Sequence, residues 1–130
     1  MKPGTVAAYM TKATITFLPS DEVTRAVSTL LRQKISGAPV MDENGTLVGI
    51  LTAKDCFRAV LHASYHQEPG GNVAEYMTSP VSTMDADTNI VAAAERFLKV
   101  PHRRFPVMRE GRLVGIITRL DLLRAFETER

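Results

Sequence analysis

Two threonine–aspartate pairs are the residues whose types and spacing could do chemistry. Thr52 and Asp55 lie in the stretch GILTAKD, and Thr118 and Asp121 lie in GIITRLD. A hydroxyl and an acid at this spacing can form a capping box, in which both side chains bond the backbone at a helix start. The same groups can also accept hydrogen bonds from a vicinal diol, as in a ribose. Because Asp closes such a box less well than Glu or Gln, both roles stay open, and they can coexist.

A second set of residues stands just ahead of the P-V-M stretches. His102, Arg103 and Arg104 precede one of them, and Arg can bind phosphate through two parallel hydrogen bonds. The other is preceded by the small residues Ser36 to Ala38, which would let a flat ring approach the backbone closely. A solvated charge cluster is the structural alternative for the basic run. Diol acceptors, small residues and a basic patch together suggest a nucleotide.

The elements that must position these residues occur twice in the chain. VAAYMT, from Val6 to Thr11, returns as VAEYMT, and APVMDENGTLVGILTAKDCFRA returns as FPVMREGRLVGIITRLDLLRA. The chain is therefore a tandem repeat of one unit. We place repeat one at about residues 6–62, a linker marked by Pro-Gly-Gly at about 63–72, and repeat two at about 73–127.

Each repeat predicts the order β-α-β-β-α from its hydrophobic periodicity. Ser20 and Asp87 are the expected N-caps of the first helices. Because one such unit buries little apolar surface, we predict a single α/β domain. In it the two units form a pseudo-twofold pair of three-stranded sheets packed through their sheets. The expected strands are 14–17, 38–41 and 47–51 in repeat one, and 81–84, 105–108 and 113–117 in repeat two.

Composition excludes several classes of function. The 130 residues carry a formal net charge of +2, which gives no general reason to expect nucleic-acid or membrane binding. A single cysteine rules out an intramolecular disulfide, and no apolar run suggests a signal peptide or membrane span. We therefore expect a cytoplasmic protein. No P-loop, G-x-G-x-x-G or Ser-His-Asp pattern is present, so we do not expect an enzyme.

Two further features could carry chemistry but favour a structural interpretation. His62 and His66 are four residues apart, with Glu68 nearby, which is the spacing of metal ligands on a helix. The third ligand is uncertain and the stretch leads into the Gly-Gly linker, so we predict no metal site. Cys56 follows Asp55 in an apolar helix and is expected to be a small core residue rather than a redox sensor.

The paired pattern resembles a tandem CBS domain, or Bateman module, from Val6 to Phe126. The resemblance rests on the YMT opening, the P-V-M and L-V-G-I strands and both T-x-x-D junctions, twice in the same order. It implies that Thr52, Asp55, Thr118 and Asp121 hold a ribose and that His102, Arg103 and Arg104 contact phosphate. The base would be lined by Thr14, Ile15, Gly37, Ala38, Pro39, Val81, Phe105 and Pro106.

The resemblance implies a stand-alone regulatory module that binds an adenosine nucleotide in clefts between the repeats. AMP, ADP or ATP is the expected ligand, and S-adenosylmethionine, NAD or a cyclic dinucleotide stays open. We expect a homodimer that forms a disc of four repeats and acts on an unidentified protein partner. The alternatives are a ligand-free dimerisation scaffold and a switch that responds to metal or redox state. The two sites should be unequal, with loss of Asp55 the more damaging.

Overall fold

The computed structural model describes residues 4–13, 15–67 and 70–129. Helices and short strands follow the predicted order in repeat two and, apart from the missing first strand, in repeat one, with one extra short helix at the start of each repeat. The elements are α1 (Val6–Tyr9), α2 (Val23–Gln33), β1 (Gly37–Met41), β2 (Leu47–Thr52), α3 (Ala53–His66), α4 (Val73–Tyr76), β3 (Met84–Asp85), α5 (Ile90–Lys99), β4 (Arg104–Arg109), β5 (Arg112–Thr118) and α6 (Arg119–Glu129).

The chain divides into two compact units that do not coincide with the sequence repeats. One unit, here called the C-unit, takes residues from 1–13 and from 82–130. The other, the N-unit, takes residues from 14–81. Each repeat therefore contributes its opening Y-M-T segment to the unit built by the other repeat. Val6 and Val73, which begin these segments, are both completely buried.

A glycine in each repeat explains how the exchanged segment fits. In the C-unit, a Cβ on Gly115 would lie 2.6 Å from the Met10 sulfur and 2.7 Å from the Thr11 carbonyl oxygen. In the N-unit, a Cβ on Gly49 would lie 2.5 Å from the Met77 sulfur. The L-V-G-I strand thus needs glycine because the Y-M-T segment crosses it at close range.

The sheet of the N-unit is smaller than predicted. β1 and β2 pair in antiparallel fashion, but the expected first strand over 14–17 is reduced to a single parallel bridge between Phe17 and Val40. Among residues 15–17, the part of this range that the structure describes, only Phe17 takes part, donating its N–H to Pro39 O at 3.0 Å and accepting from Met41 N–H at 2.8 Å. Two hydrogen bonds around one residue hold this segment at the sheet edge without extending a strand.

The C-unit has the predicted three-stranded sheet, in the order β3-β4-β5. β3 pairs in parallel with β4, and β4 pairs in antiparallel fashion with β5. β3 is only Met84–Asp85, so the strand expected over 81–84 begins late and is short. Gly45 and Gly111, with φ of 78° each, turn the chain between the antiparallel strands, at the DENG and REG sequences.

The helices α2 and α5, which the sequence predicted as the first helix of each repeat, begin later than predicted. Their expected N-caps were wrong. α2 follows Glu22, which makes no side-chain cap, and Ser20 lies outside the helix. α5 is capped by Asn89, whose Oδ1 accepts from Ala92 N–H at 2.9 Å. Asp87 instead donates its own N–H to the Asp85 carboxylate at 2.8 Å. The cap of α5 therefore lies two residues after the predicted Asp87, and α2 begins without a side-chain cap.

Part of the apolar surface of the helices is exposed in both units. The α2 residues Val23, Ala26 and Leu30 are buried in the N-unit, but the next residue, Leu31, is 74% exposed. In the C-unit, Leu98 of α5 is likewise 88% exposed.

Among the described residues, no helix combines the length and apolarity needed to cross a membrane. The last helix of repeat one, α3, extends to His66 and so enters the segment predicted as linker.

Candidate functional site

Both T-x-x-D pairs stand at the junction of a strand and a helix, and both form the two bonds of a capping box. In the N-unit, Thr52 N–H donates to the Asp55 carboxylate at 2.9 Å, and Asp55 N–H donates to Thr52 Oγ1 at 3.3 Å. In the C-unit, the bonds between Thr118 and Asp121 measure 2.9 and 3.2 Å. The structural role of these pairs is therefore confirmed, and any ligand role must coexist with it.

The two carboxylates differ in what else they contact. Asp55 is only 2% exposed and is the only charged residue in the buried class within the described part of the chain. It also accepts from Thr52 Oγ1 at 3.0 Å, from Thr78 Oγ1 at 3.3 Å to each oxygen, and from Arg58 Nη2. The Arg58 guanidinium further donates to Tyr76 O at 3.1 Å. Donors thus surround the Asp55 carboxylate.

The Asp121 carboxylate is more open. Its side chain is 12% exposed, and one oxygen pairs with Arg124 Nη1 at 3.3 Å, where Arg124 is itself 70% exposed. The donors that contact the Asp121 carboxylate are the backbone N–H of Thr118 and the Arg124 guanidinium. Of the two T-x-x-D acids, Asp121 is the one with acceptor capacity available to a ligand.

Strand register brings the basic run beside the second T-x-x-D pair. In the antiparallel pair β4–β5, Arg104 is the Cα partner of Thr118, so it lies at the edge where α6 begins. In the N-unit the corresponding partner of Thr52 is Gly37. The sequence predicted both sets of residues, and the structure places them together within each unit. Only the C-unit combines a T-x-x-D junction with an arginine at this register position.

Local contacts hold the basic run against an aromatic core residue. Phe105 is completely buried, with the His102 ring stacked on it at 5.3 Å and the Arg96 guanidinium 4.6 Å from its centroid. His102 and Arg103 are exposed, and Arg104 is half-buried. Burial lowers the pKa of the Arg104 guanidinium, and the neighbouring Arg103 lowers it further. An anion bound there would favour the charged guanidinium and so raise this pKa again.

The residues expected to line a base are mostly covered. Gly37, Ala38, Pro39, Phe105 and Pro106 are buried, because they belong to the strands β1 and β4 that form the sheets. Ile15 and Val81 are half-buried, and Thr14 lies outside the described residues. The side chains with surface to offer a ring are therefore Ile15 and Val81.

The histidine pair and Cys56, for which the sequence favours a structural interpretation, have the following surroundings. The His62 and His66 rings lie 4.5 Å apart in α3, tilted by 56° to each other, and His62 Nδ1 lies 2.9 Å from Tyr76 OH. Among the described residues, no group of three or more potential ligands is placed to hold a metal ion. Cys56 is buried, and desolvation followed by the Asp55 charge raises the pKa of its thiol, which makes it a poor nucleophile.

Sequence reasoning missed two contributors to the junction. The first is an arginine three residues after each Asp, Arg58 and Arg124, which pairs with that Asp in both units. Its signal was present in the sequence, as TAKDCFR and TRLDLLR. The second is Thr78, whose contact with Asp55 depends on the exchanged segment and had no local signal.

The fold defines a class of protein made of two repeated α/β units, each with a capped strand–helix junction beside a two-stranded antiparallel core. The profile of the CBS domain family matches residues 6–62 and 73–128. The chain belongs to the CBS domain family and carries two CBS repeats, as its sequence pattern predicted.

Related proteins share this architecture. The crystal structure of CBSX2 in complex with AMP is 32% identical, with a TM-score of 0.84 over 98% of this chain and 99% of that one. The CBS domain pair of protein MJ0100, in complex with 5-methylthioadenosine and S-adenosyl-L-methionine, is 28% identical with a TM-score of 0.83, over 98% of this chain and 99% of that one. CBSX1 of Arabidopsis thaliana, a chloroplastic protein, is 30% identical over 93% of this chain and 63% of its own length.

The curated relatives are longer than this chain. The chain spans 63% of CBSX1 and 41% of the protein MJ1225 of Methanocaldococcus jannaschii, with which it is 29% identical over 92% of this chain. It also matches 22% of an inosine-5'-monophosphate dehydrogenase of Aquifex aeolicus, with 32% identity over 85% of this chain. In that enzyme the similar segment is a minor part of the protein.

Proposed function

We propose that this protein is a regulatory module that binds an adenosine nucleotide, with its better equipped site in the C-unit. One observation carries the proposal: Arg104 is the register partner of Thr118, beside the partly open carboxylate of Asp121. At the start of α6, the hydroxyl of Thr118 and the carboxylate of Asp121 therefore lie beside the cationic residue Arg104. The similar structures of CBSX2 and of the MJ0100 domain pair, which hold AMP and S-adenosyl-L-methionine, support the same ligand class.

In this proposal Thr118 and Asp121 accept hydrogen bonds from the ribose hydroxyls. Thr118 is half-buried, and the Asp121 oxygen that faces Arg124 is weakly held at 3.3 Å, so a diol can compete for it. The backbone half of the capping box need not break, since a carboxylate oxygen has two lone pairs. The Thr52–Asp55 pair, with Gly37, Ala38 and Pro39 beside it, is the second candidate ribose site.

The phosphate would be bound by His102, Arg103 and Arg104. These residues precede or begin β4 on one side of the α6 N-terminus, and helix N-termini favour anions. Phe105 is the fixed support for His102, because the imidazole lies flat on the buried ring, with an interplanar angle of 4°. Ile15, Val81, Phe105 and Pro106 remain proposed as base-lining residues, together with Thr14 and the strand β1 residues named above.

The proposal is tested by titration calorimetry with adenosine, AMP, ADP, ATP, S-adenosylmethionine and NAD. Arg104→Ala should weaken AMP and ATP while sparing adenosine, because only the phosphates need the cation. Asp121→Asn should weaken all adenosine ligands by about 1–3 kcal/mol, the worth of a hydrogen bond to a charged group. Arg112→Ala, an exposed arginine of the same unit, is the matched control. Failure of every ligand to bind the wild type would leave the scaffold alternative.

A homodimer is the second part of the proposal. Repeat-matched positions of the helices are exposed in both units: Leu31 and Leu98 at 74% and 88%, and Phe57 and Leu123 at 68% and 65%. In the C-unit a groove of about 460 Å³ lies between α5 and α6. Apolar surface repeated in this way favours covering by a second copy with twofold closure. The groove is lined by Ala94, Phe97, Leu98, Val100, Arg119, Leu122, Leu123 and Phe126.

Sedimentation distinguishes this assembly from a monomer. Wild-type protein should sediment as a dimer at tens of micromolar, and Leu98→Glu should shift it to a monomer. Leu18→Glu introduces the same charge at a 41% exposed leucine outside the helices and should leave the dimer intact. A monomeric wild type, with and without AMP, would refute the dimer.

Regulation would act through a partner protein or a further segment, by a change of conformation or assembly on nucleotide binding. We propose no catalytic role for this chain, since the CBS repeats account for most of its length. A cytoplasmic location likewise stays a prediction.

A further inference from the structure

We infer that Thr78 closes the Asp55 junction, so that the chain binds one nucleotide, at Asp121. The inference rests on the proposed function and concerns which of the two repeated sites is usable. It reverses the order expected from the sequence, in which loss of Asp55 was to be the more damaging for binding.

Thr78 and Thr11 occupy matched positions in the Y-M-T segments, and their backbones are held alike. Thr78 exchanges two backbone hydrogen bonds with Ile50, at 3.0 and 2.8 Å. Thr11 exchanges two with Ile116, at 2.9 and 2.8 Å. Each segment therefore crosses its sheet in the same way, next to the glycine of the L-V-G-I strand. The difference between the units lies in the side chains.

Only Thr78 uses its hydroxyl to cover the acid. Its Oγ1 lies 3.3 Å from both oxygens of Asp55, so it spans the open edge of the carboxylate. Within the described residues Thr11 makes no such bond to Asp121. The exposed fraction of the side chain is 2% for Asp55, which Thr52, Arg58 and Thr78 contact, and 12% for Asp121. A ribose at Asp55 would have to displace Thr78 first.

The charges near the two T-x-x-D junctions also favour Asp121 over Asp55 as the binding site. The register partner of Thr52 is Gly37, preceded by Ser36, whereas the partner of Thr118 is Arg104, preceded by Arg103. A nucleotide phosphate therefore finds two guanidinium groups in the C-unit and none at the matched positions of the N-unit. The N-unit junction is thus closed by a hydroxyl and also lacks the cations that would favour opening it.

The test counts AMP molecules bound per chain by titration calorimetry. Wild type should bind one AMP, and Thr78→Ala should add a second, weaker binding event because the truncation uncovers Asp55. Thr11→Ala is the matched control and should leave one AMP per chain. Thr78 is exposed and its ladder bonds are made by the backbone, so the alanine variant should fold, which its melting curve checks.

The carboxyl carbon of each Asp provides a second measurement by NMR. On AMP addition, the Asp121 signal should move in wild type, and the Asp55 signal should move only in Thr78→Ala. Two AMP molecules bound by wild type, or one bound by Thr78→Ala with Asp55 unmoved, would overturn the inference while leaving the proposed function intact. Absence of AMP binding to every variant would refute the proposed function itself.

Discussion

Replacing Asp55 by Asn should destabilise the protein far more than the same replacement at Asp121. The change keeps the shape of the side chain and removes its charge. In the N-unit, Asn can keep one acceptor for Thr52 N–H, but its amide group then faces Arg58 and Thr78, which are donors to the carboxylate. Arg58 has no lone pair to offer that amide, so the half-exposed Arg58 guanidinium loses its acceptor and the buried amide N–H that faces it finds none.

The magnitude follows from burial. An unsatisfied buried donor costs about 1–3 kcal/mol, and a hydrogen bond to a charged group is worth about 1.5–3 kcal/mol. Because Arg58 is 53% exposed and recovers water, we discount its share and expect about 2–4 kcal/mol in total for Asp55→Asn. At Asp121, which pairs with the 70% exposed Arg124, we expect about 1 kcal/mol or less.

Urea denaturation followed by circular dichroism measures both variants without ligand. The comparison is internally controlled, since both acids close a capping box of the same design and both are followed by an arginine three residues on. Arg58→Ala should cost more than Arg124→Ala for the same reason. If the two Asp→Asn variants lost equal free energy of unfolding, the reasoning that Asp55 is a structural acid would be refuted.

Two other features give measurable predictions. Gly115→Ala should cost about 1–3 kcal/mol and more than Gly49→Ala, because its Cβ would meet the Thr11 carbonyl oxygen at 2.7 Å, whereas a Cβ on Gly49 would lie 3.2 Å from the matching Thr78 carbonyl oxygen; equal midpoints in urea would contradict this. Hydrogen bonds from Tyr9 and the backbone lower the pKa of Glu129, so their stabilisation is present above the ordinary Glu pKa and is lost as pH falls through the lower folded value. The melting temperature of Glu129→Gln should therefore lie below wild type at pH 7, and the gap should shrink as the pH falls below the ordinary Glu pKa; a gap that persisted in strong acid would exclude the mechanism.

The sequence could predict most of the fold because its signals are local or repeated. Strands β1, β2, β4 and β5 agree with the predicted ranges within one residue at nearly every end, since turn residues and P-V-M or L-V-G-I patterns bound them. The helix starts were less predictable, because several capping residues compete within a few positions. Residues 15 and 16 carry strand-forming side chains, yet only Phe17 reaches the sheet.

The candidate site could likewise be predicted only in part from the sequence. The T-x-x-D pairs and the basic run were evident from residue type, spacing and repetition, so the sequence alone determined the family, the repeat and the candidate ligand groups. It could not distinguish a capping acid from a ligand-binding one, since both use the same carboxylate at the same helix start. That distinction depends on which donors surround each acid. Thr78, 23 residues from Asp55, contacts it because the repeats exchange their opening segments, and only the tertiary structure decides such a contact.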